Sequence, residues 1–181
     1  ANTDKLALYI AECRDRGIQV LPPDINESQL HFTVVPEGVR FGLTAIKGLG
    51  EGAIHSIIDV RAAGGRITSL HQLCESLDLR LVNKRVLESL VKAGAFDELA
   101  VAPDSPLGER RARLMATIDL ACEYGARRQR DRELGQAQLF GGNADDEGHS
   151  SKAVPSGSAQ IDSWTEVQQL AYEKEALGLY F

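Results

Sequence analysis

Gly48, Gly50 and Gly52 stand at alternate positions in AIKGLGEGAI, residues 45–54. Glycine inside a helix or strand costs roughly 0.5–1 kcal/mol against alanine, so this spacing marks a turn between two elements. Two architectures use such a turn. If VRFGLTAI is a strand, Gly48-Leu49-Gly50-Glu51-Gly52-Ala53 matches G-x-G-x-x-A, a loose dinucleotide-binding turn. That reading needs a second parallel strand ending in an acidic residue, and GGRITSLHQLCESL contains no convincing buried strand. The other reading makes LTAIKGLGEGAIHSII a helix, a tight hairpin and a helix. Leu43 and Ile46 then close a short first helix, Gly48-Leu49-Gly50 turns, Leu49 fills the space between the helices, and Ile54, Ile57 and Ile58 face inward.

The second reading is preferred, and it carries a chemistry. Without side chains at Gly48 and Gly50, peptide N–H groups can approach a phosphate closely. The second helix aims its positive end, worth roughly half a charge, at the same place. Lys47 adds a full charge. The net charge of −6 opposes a wide nucleic-acid grip, which needs clustered Lys and Arg, and leaves room for a local contact. A purely structural helical turn remains the competing reading of the hairpin.

The flanking elements read as mainly α. DKLALYIAECRDR, residues 4–16, places Leu6, Tyr9, Ile10 and Cys13 on one helical stripe ended by Gly17. IQVLPPDINES is extended because Pro22 and Pro23 forbid a helix. LHFTVVPEGVRFGL predicts a β-hairpin in which Leu30, Phe32 and Val34 alternate, Pro36-Glu37-Gly38 turns, and Val39, Phe41 and Leu43 alternate back. SLHQLCESL is a short helix capped by Ser69 or Thr68, and NKRVLESLVKAGAF buries Val86, Leu87, Leu90 and Val91 before Gly94. A last long helix is expected from Ser105 as cap and Pro106 as its first residue, with Leu114, Ile118 and Cys122 inward. DLRLVNKRVL offers Arg80, Lys84 and Arg85 without a glycine turn, a degenerate second hairpin that packs on the first.

No apolar run nears the roughly 20 residues that span a bilayer, and no signal-peptide pattern is present at the start. Cys13, Cys74 and Cys122 form no CxxC spacing, which points to a reducing cytoplasm. The chain starts without Met and stops at LGLYF, so a piece of a longer protein is expected.

A second signal is GQAQLFGG, residues 135–142. Leu139 and Phe140 have no periodic partner there, and a polar Gly/Ser/Asp/Pro linker follows. The bland reading tucks the pair onto its own domain. The sharper one inserts Leu139 and Phe140 into a partner's pocket while Gln136 hydrogen-bonds at its edge.

LTAIKGLGEGAIHSII resembles the helix-hairpin-helix motif of DNA-binding proteins. The run from YIAECRDRGIQVLPPDINES through RFGLTAIKGLGEGA to NKRVLESLVKAGAFDEL, resuming at EKEALGLY, is similar to the bacterial DNA polymerase III α subunit beyond its fingers. QAQLF resembles that family's sliding-clamp-binding peptide, Q-x-x-L-F. The resemblance implies a tandem helix-hairpin-helix domain with a small β-hairpin over 1–134, a clamp-binding peptide at 135–140, a disordered linker at 141–160 and the start of a following element at 161–181.

It implies non-specific contacts to the DNA backbone through Lys47, Gly48, Leu49, Gly50 and Gly52, with Lys84 and Arg85 in the second hairpin. Gln136, Leu139 and Phe140 would bind the clamp. Further partners would be the remaining polymerase domains and replisome subunits in the cytoplasm. The metal-binding aspartates and their Mg2+ would belong to a palm domain upstream; no cofactor and no catalytic residue are expected in this segment. Two alternatives stay open. One is a free-standing helix-hairpin-helix repair enzyme, with Asp78 as the only nearby catalytic acid; the other is a pure protein-interaction module.

Overall fold

The computed structural model describes residues 3–99, 104–140 and 161–179. Helix α1 (Thr3–Asp15) opens the chain. Its apolar stripe is narrower than expected: Ile10 is buried, Leu6 and Cys13 are half-buried, and Tyr9 is exposed. The Ile18 N–H then bonds the Cys13 carbonyl at 2.8 Å, closing the helix end at Gly17.

Three short strands follow: β1 (Val20–Leu21), β2 (Thr33–Val35) and β3 (Gly38–Arg40), in the order β1-β3-β2. The expected hairpin is β2 against β3, antiparallel with Thr33 opposite Arg40. Its strands are shorter than the sequence suggests, leaving Leu30, Phe32, Phe41 and Leu43 outside them, while its turn is tighter, Gly38 already belonging to β3. The extended IQVL segment also joins, pairing parallel to β3 with Val20 opposite Val39. Gly38 permits that approach, since a Cβ there would lie 2.0 Å from the Gln19 carbonyl oxygen. The predicted alternation holds on the returning limb, where Phe41 and Leu43 are fully buried. It fails at Val34, which is 83% exposed on the edge strand β2.

After the sheet come a single 3-10 turn (Leu43–Ala45), α2 (Glu51–Gly64), α3 (Leu70–Ser76) and α4 (Lys84–Lys92). The expected first helix of the glycine hairpin is therefore only that one turn. Ile54 and Ile57 of α2 are fully buried and Ile58 partly so. The Ser69 side chain accepts from the Gln72 N–H to cap α3, and Asn83 accepts from Val86 to cap α4. Val86, Leu87, Leu90 and Val91 are buried as the helical spacing requires. Each such side chain contributes roughly 1.5–3 kcal/mol.

The long helix α5 (Leu107–Phe140) starts one residue later than expected. The Pro106 carbonyl accepts from the Arg110 N–H at 3.1 Å, so Pro106 stands before the helix and is not its first residue. Leu114, Ile118 and Ala121 face the core. Close packing of α5 on α3 depends on Gly125, where a Cβ would meet the Cys74 carbonyl oxygen at 2.4 Å. One turn on, the Gln129 amide donates to the carbonyls of Cys74 (3.1 Å) and Leu77 (2.8 Å), satisfying the C-terminal end of α3.

The stretch from 161, expected to open a following element, folds back onto this body as α6 (Glu166–Leu177). Thr165 and Gln168 form a capping box. The Trp164 N–H donates to the Gly108 carbonyl at 3.2 Å, and the Trp164 and Tyr172 rings pack 4.5 Å apart. Buried Arg111 joins three elements, bonding both carboxylate oxygens of Asp97 (2.8 and 2.5 Å) and Glu173 of α6 (2.8 Å). Gly94 leaves room for this cluster; a Cβ there would lie 2.6 Å from the Arg111 guanidinium. The expected linker at 141–160 lies outside the described residues.

Candidate nucleic-acid interface

The corner between the 3-10 turn and α2 is built by local hydrogen bonds. The Ile46 N–H donates to Leu43 at 3.1 Å, and the Leu49 N–H reaches Ile46 at 3.4 Å. Leu49 is half-buried and packs against the core, filling the space between the limbs. The chain can turn because Gly48 adopts φ +86, a left-handed conformation that side chains disfavour. A Cβ at Gly48 would also come within 3.2 Å of the Ser89 hydroxyl on α4.

Gly50 and Gly52 differ from Gly48. Gly50 has φ −80 and ψ 155, an ordinary extended conformation. A Cβ there would meet nothing within 4 Å, and one at Gly52 would meet only Leu81 at ordinary contact distance, 3.6 Å. The fold requires glycine at 48. At 50 the missing side chain leaves open space, and at 52 it leaves room bounded by Leu81. Gly50 is also the N-cap of α2: its carbonyl accepts from Ile54 at 3.1 Å, and no side chain caps the helix. Glycine is an acceptable N-cap, but Ser, Asn or Asp caps better.

The uncapped first turn of α2 thus presents backbone N–H groups and the positive helix end beside exposed Lys47. Glu51, exposed in the same turn, complements the dipole and competes with an anion for it. The backbone of Lys47 is held from behind, its N–H donating to the Ala176 carbonyl near the end of α6 at 2.8 Å. Lys47, Gly48, Gly50 and Gly52 are all exposed.

The second hairpin lies against the first. A Cβ at Gly52 would lie 3.6 Å from Leu81, and the Asp78 N–H reaches the Ser56 hydroxyl of α2 at 3.3 Å. It is electrostatically closed where the first is open. Asn83 caps α4, Arg80 is paired to both oxygens of Asp78 (each 3.0 Å), and Lys84 reaches Asp119 of α5 at 2.7 Å. The hydrogen bond from Arg80 holds the Asp78 carboxyl below the usual carboxylate range, and the one to Asp119 holds Lys84 above the usual lysine range. Arg85 is exposed, with no carboxylate partner among the described residues. Of the two expected cations, Lys84 ties α4 to α5 and Arg85 remains outward.

Gln136, Leu139 and Phe140 fall in the last turns of α5, where the backbone continues helical to Phe140. The sequence placed them in a flexible flank; the helix runs further than the polar composition of RRQRDRE suggests.

Other chemistries lose their footing. The dinucleotide reading needs a strand running into Gly48, but β3 ends at Arg40 and a 3-10 turn intervenes. Asp78, the acid that a repair enzyme would need, is occupied by Arg80. Burial and the neighbouring Cys122 push the Cys74 thiol up to about 12, which disfavours a nucleophilic thiolate. Among the described residues no three His, Cys, Asp or Glu side chains converge as a metal site.

Sequence reasoning missed Ser89 behind Gly48, Ala176 behind Lys47, and the Asp97–Arg111–Glu173 cluster. Only Asp97 had a local signal, as the acid closing AGAFD.

Comparison with known proteins agrees with this geometry. Residues 17–105 match the helix-hairpin-helix motif family. DNA polymerase III subunit alpha of Saccharopolyspora erythraea is 41% identical over 181 residues, covering 99% of this chain and 14% of the relative. The corresponding subunits of Vibrio cholerae and Escherichia coli K12 are 38% and 37% identical over 180 residues, again 99% of this chain and 14% of each relative. The chain spans about one seventh of their length. It belongs to the DNA polymerase III alpha-subunit family, as a segment containing that family's helix-hairpin-helix region.

Proposed function

We propose that this segment is a non-catalytic tether of a replicative DNA polymerase, working on chromosomal DNA in the cytoplasm. The first hairpin contacts the duplex backbone without reading sequence, through the α2 N-terminus and Lys47, with Gly48, Leu49, Gly50 and Gly52 shaping the corner. Exposed Arg85 assists, and Lys84 can do so only by leaving Asp119. QAQLF, through Gln136, Leu139 and Phe140, engages the sliding clamp. The carrying observation is the open corner at Gly50: the fold does not need glycine there, and exposed Lys47 stands three residues before an uncapped helix end.

Neither contact needs to be strong. A hairpin on DNA and a peptide on a ring encircling that DNA raise each other's effective concentration, often to the millimolar range. Template-directed addition, its Mg2+ and its carboxylates belong to the parent chain outside this segment, and the remaining polymerase domains and replisome subunits are further partners.

Lys47→Glu tests the hairpin. Fluorescence anisotropy with a short labelled duplex should show affinity reduced about tenfold at low salt, and a salt slope lower by about one. Equal affinity would favour the interaction-module reading, which the net charge of −6 otherwise supports.

A further inference from the structure

The richest run of positive charge in the chain lies away from the glycine hairpin, on α5. Arg127, Arg128, Arg130 and Arg132 fall within six residues, against Asp131 alone, in a protein of net charge −6. All four are exposed. Arg128 and Arg132 share one carboxylate, Glu75 of α3, at 3.7 and 3.3 Å. Arg127 has no carboxylate partner among the described residues, and Arg130 spends only its Nε, on the Ala126 carbonyl at 3.2 Å. Glu123 and Asp131 stand one turn either side of Arg127, and Glu133 three residues beyond Arg130, yet neither guanidinium closes an ion pair among the described residues.

Their position gives the charge a partner. Between them, Gln129 bonds Leu77 at the start of the second hairpin, whose Asp78 N–H reaches the Ser56 hydroxyl of α2. On the other side, Gln136 follows Arg132 by four residues, about 6 Å along a helix rising 1.5 Å per residue. The stretch therefore bridges the hairpin and the clamp peptide, both proposed to serve one nucleic acid. A duplex leaving the hairpins for a ring held at QAQLF passes along it.

We infer that this α5 stretch, Arg127 and Arg130 foremost, is a second contact for the sugar-phosphate backbone of the duplex. It rests on the proposed tethering function. Planar guanidinium groups suit bidentate phosphate contact, and neither has a competing carboxylate to leave. The stretch supplies affinity without sequence preference.

The test is Arg127→Gln with Arg130→Gln in the full 181-residue chain, read by anisotropy with a short fluorescein-labelled duplex across a salt series. Affinity at low salt should fall about tenfold and the salt slope by about two, one for each phosphate no longer neutralised. Thermal unfolding and retention on immobilised clamp should match wild type, because both side chains lie outside the core. Unchanged duplex affinity and slope, in a series where Lys47→Glu does weaken binding, would overturn this inference and leave the hairpin reading intact. Reduced clamp retention with unchanged duplex affinity would overturn it in favour of a protein partner. If wild type and both variants bind the duplex equally, or none binds, the hairpin reading and this inference fall together.

Discussion

Leu139→Ala combined with Phe140→Ala is expected to abolish retention of the chain on an immobilised sliding clamp. Truncating two apolar side chains that a pocket buries forfeits roughly 3–6 kcal/mol at about 1.5–3 kcal/mol each. Every 1.4 kcal/mol is about tenfold in affinity, so a peptide that binds weakly alone falls below detection. Among the described side chains, Gln129 and Arg132 make the last bonds of α5 to α3 and its C-terminal end. The double variant should therefore unfold at the same temperature as wild type. A peptide that docks extended must also unwind those turns, and the end of a helix frays at little cost. Undiminished retention would remove the clamp assignment while leaving the hairpin untouched.

Arg111→Leu should have the largest effect on stability. The Arg111 side chain is 5% exposed, and its two carboxylate partners are 23% and 11% exposed. Removing the cation strands two acids of the same sign in a poorly solvated junction, a change that typically costs about 3–5 kcal/mol. Leucine fills only part of the volume, so repacking recovers little. The loss should appear in urea denaturation as a large drop in midpoint. A red shift of Trp164 fluorescence should accompany it as α6 detaches, because that indole sits beside the Gly108 junction. A destabilisation under about 1 kcal/mol would show that apolar packing of Ala176 and Leu177, and not the charge cluster, holds α6.

What the sequence revealed divides along physical lines. Elements fixed by local chemistry were legible: the Ser69 cap, the Val86–Val91 stripe, and the turn at Gly48. Elements fixed by distant contacts were not. The parallel pairing of Val20 with Val39 joins segments whose two-residue and three-residue strands are too short to show alternation. Val34 looked inward because alternation marks a face without saying whether anything covers it.

The site shows the same division. That glycines surround Lys47 is plain in AIKGLGEGAI, but which glycine the fold needs was not. Only the folded backbone separates Gly48, forced by its positive φ and by Ser89, from Gly50, which nothing forces. Lys84 resembled Arg85 in sequence and differs in space because Asp119, 35 residues away, reaches it across α4 and α5. The hairpin's support by Ala176 was likewise invisible, since no local pattern connects residue 47 to the far side of the linker.

Gly50→Asp separates stability from DNA contact at one position. Aspartate is a better N-cap than glycine by a few tenths of a kcal/mol, and its Cβ meets nothing within 4 Å. The variant should unfold at the same urea concentration as wild type or slightly above it. Its carboxylate would occupy the space beside Lys47 and the α2 N–H groups, so duplex affinity at low salt should fall at least about tenfold. Full stability with that fall in affinity is the result expected of a phosphate-binding corner; full stability with wild-type affinity would contradict it.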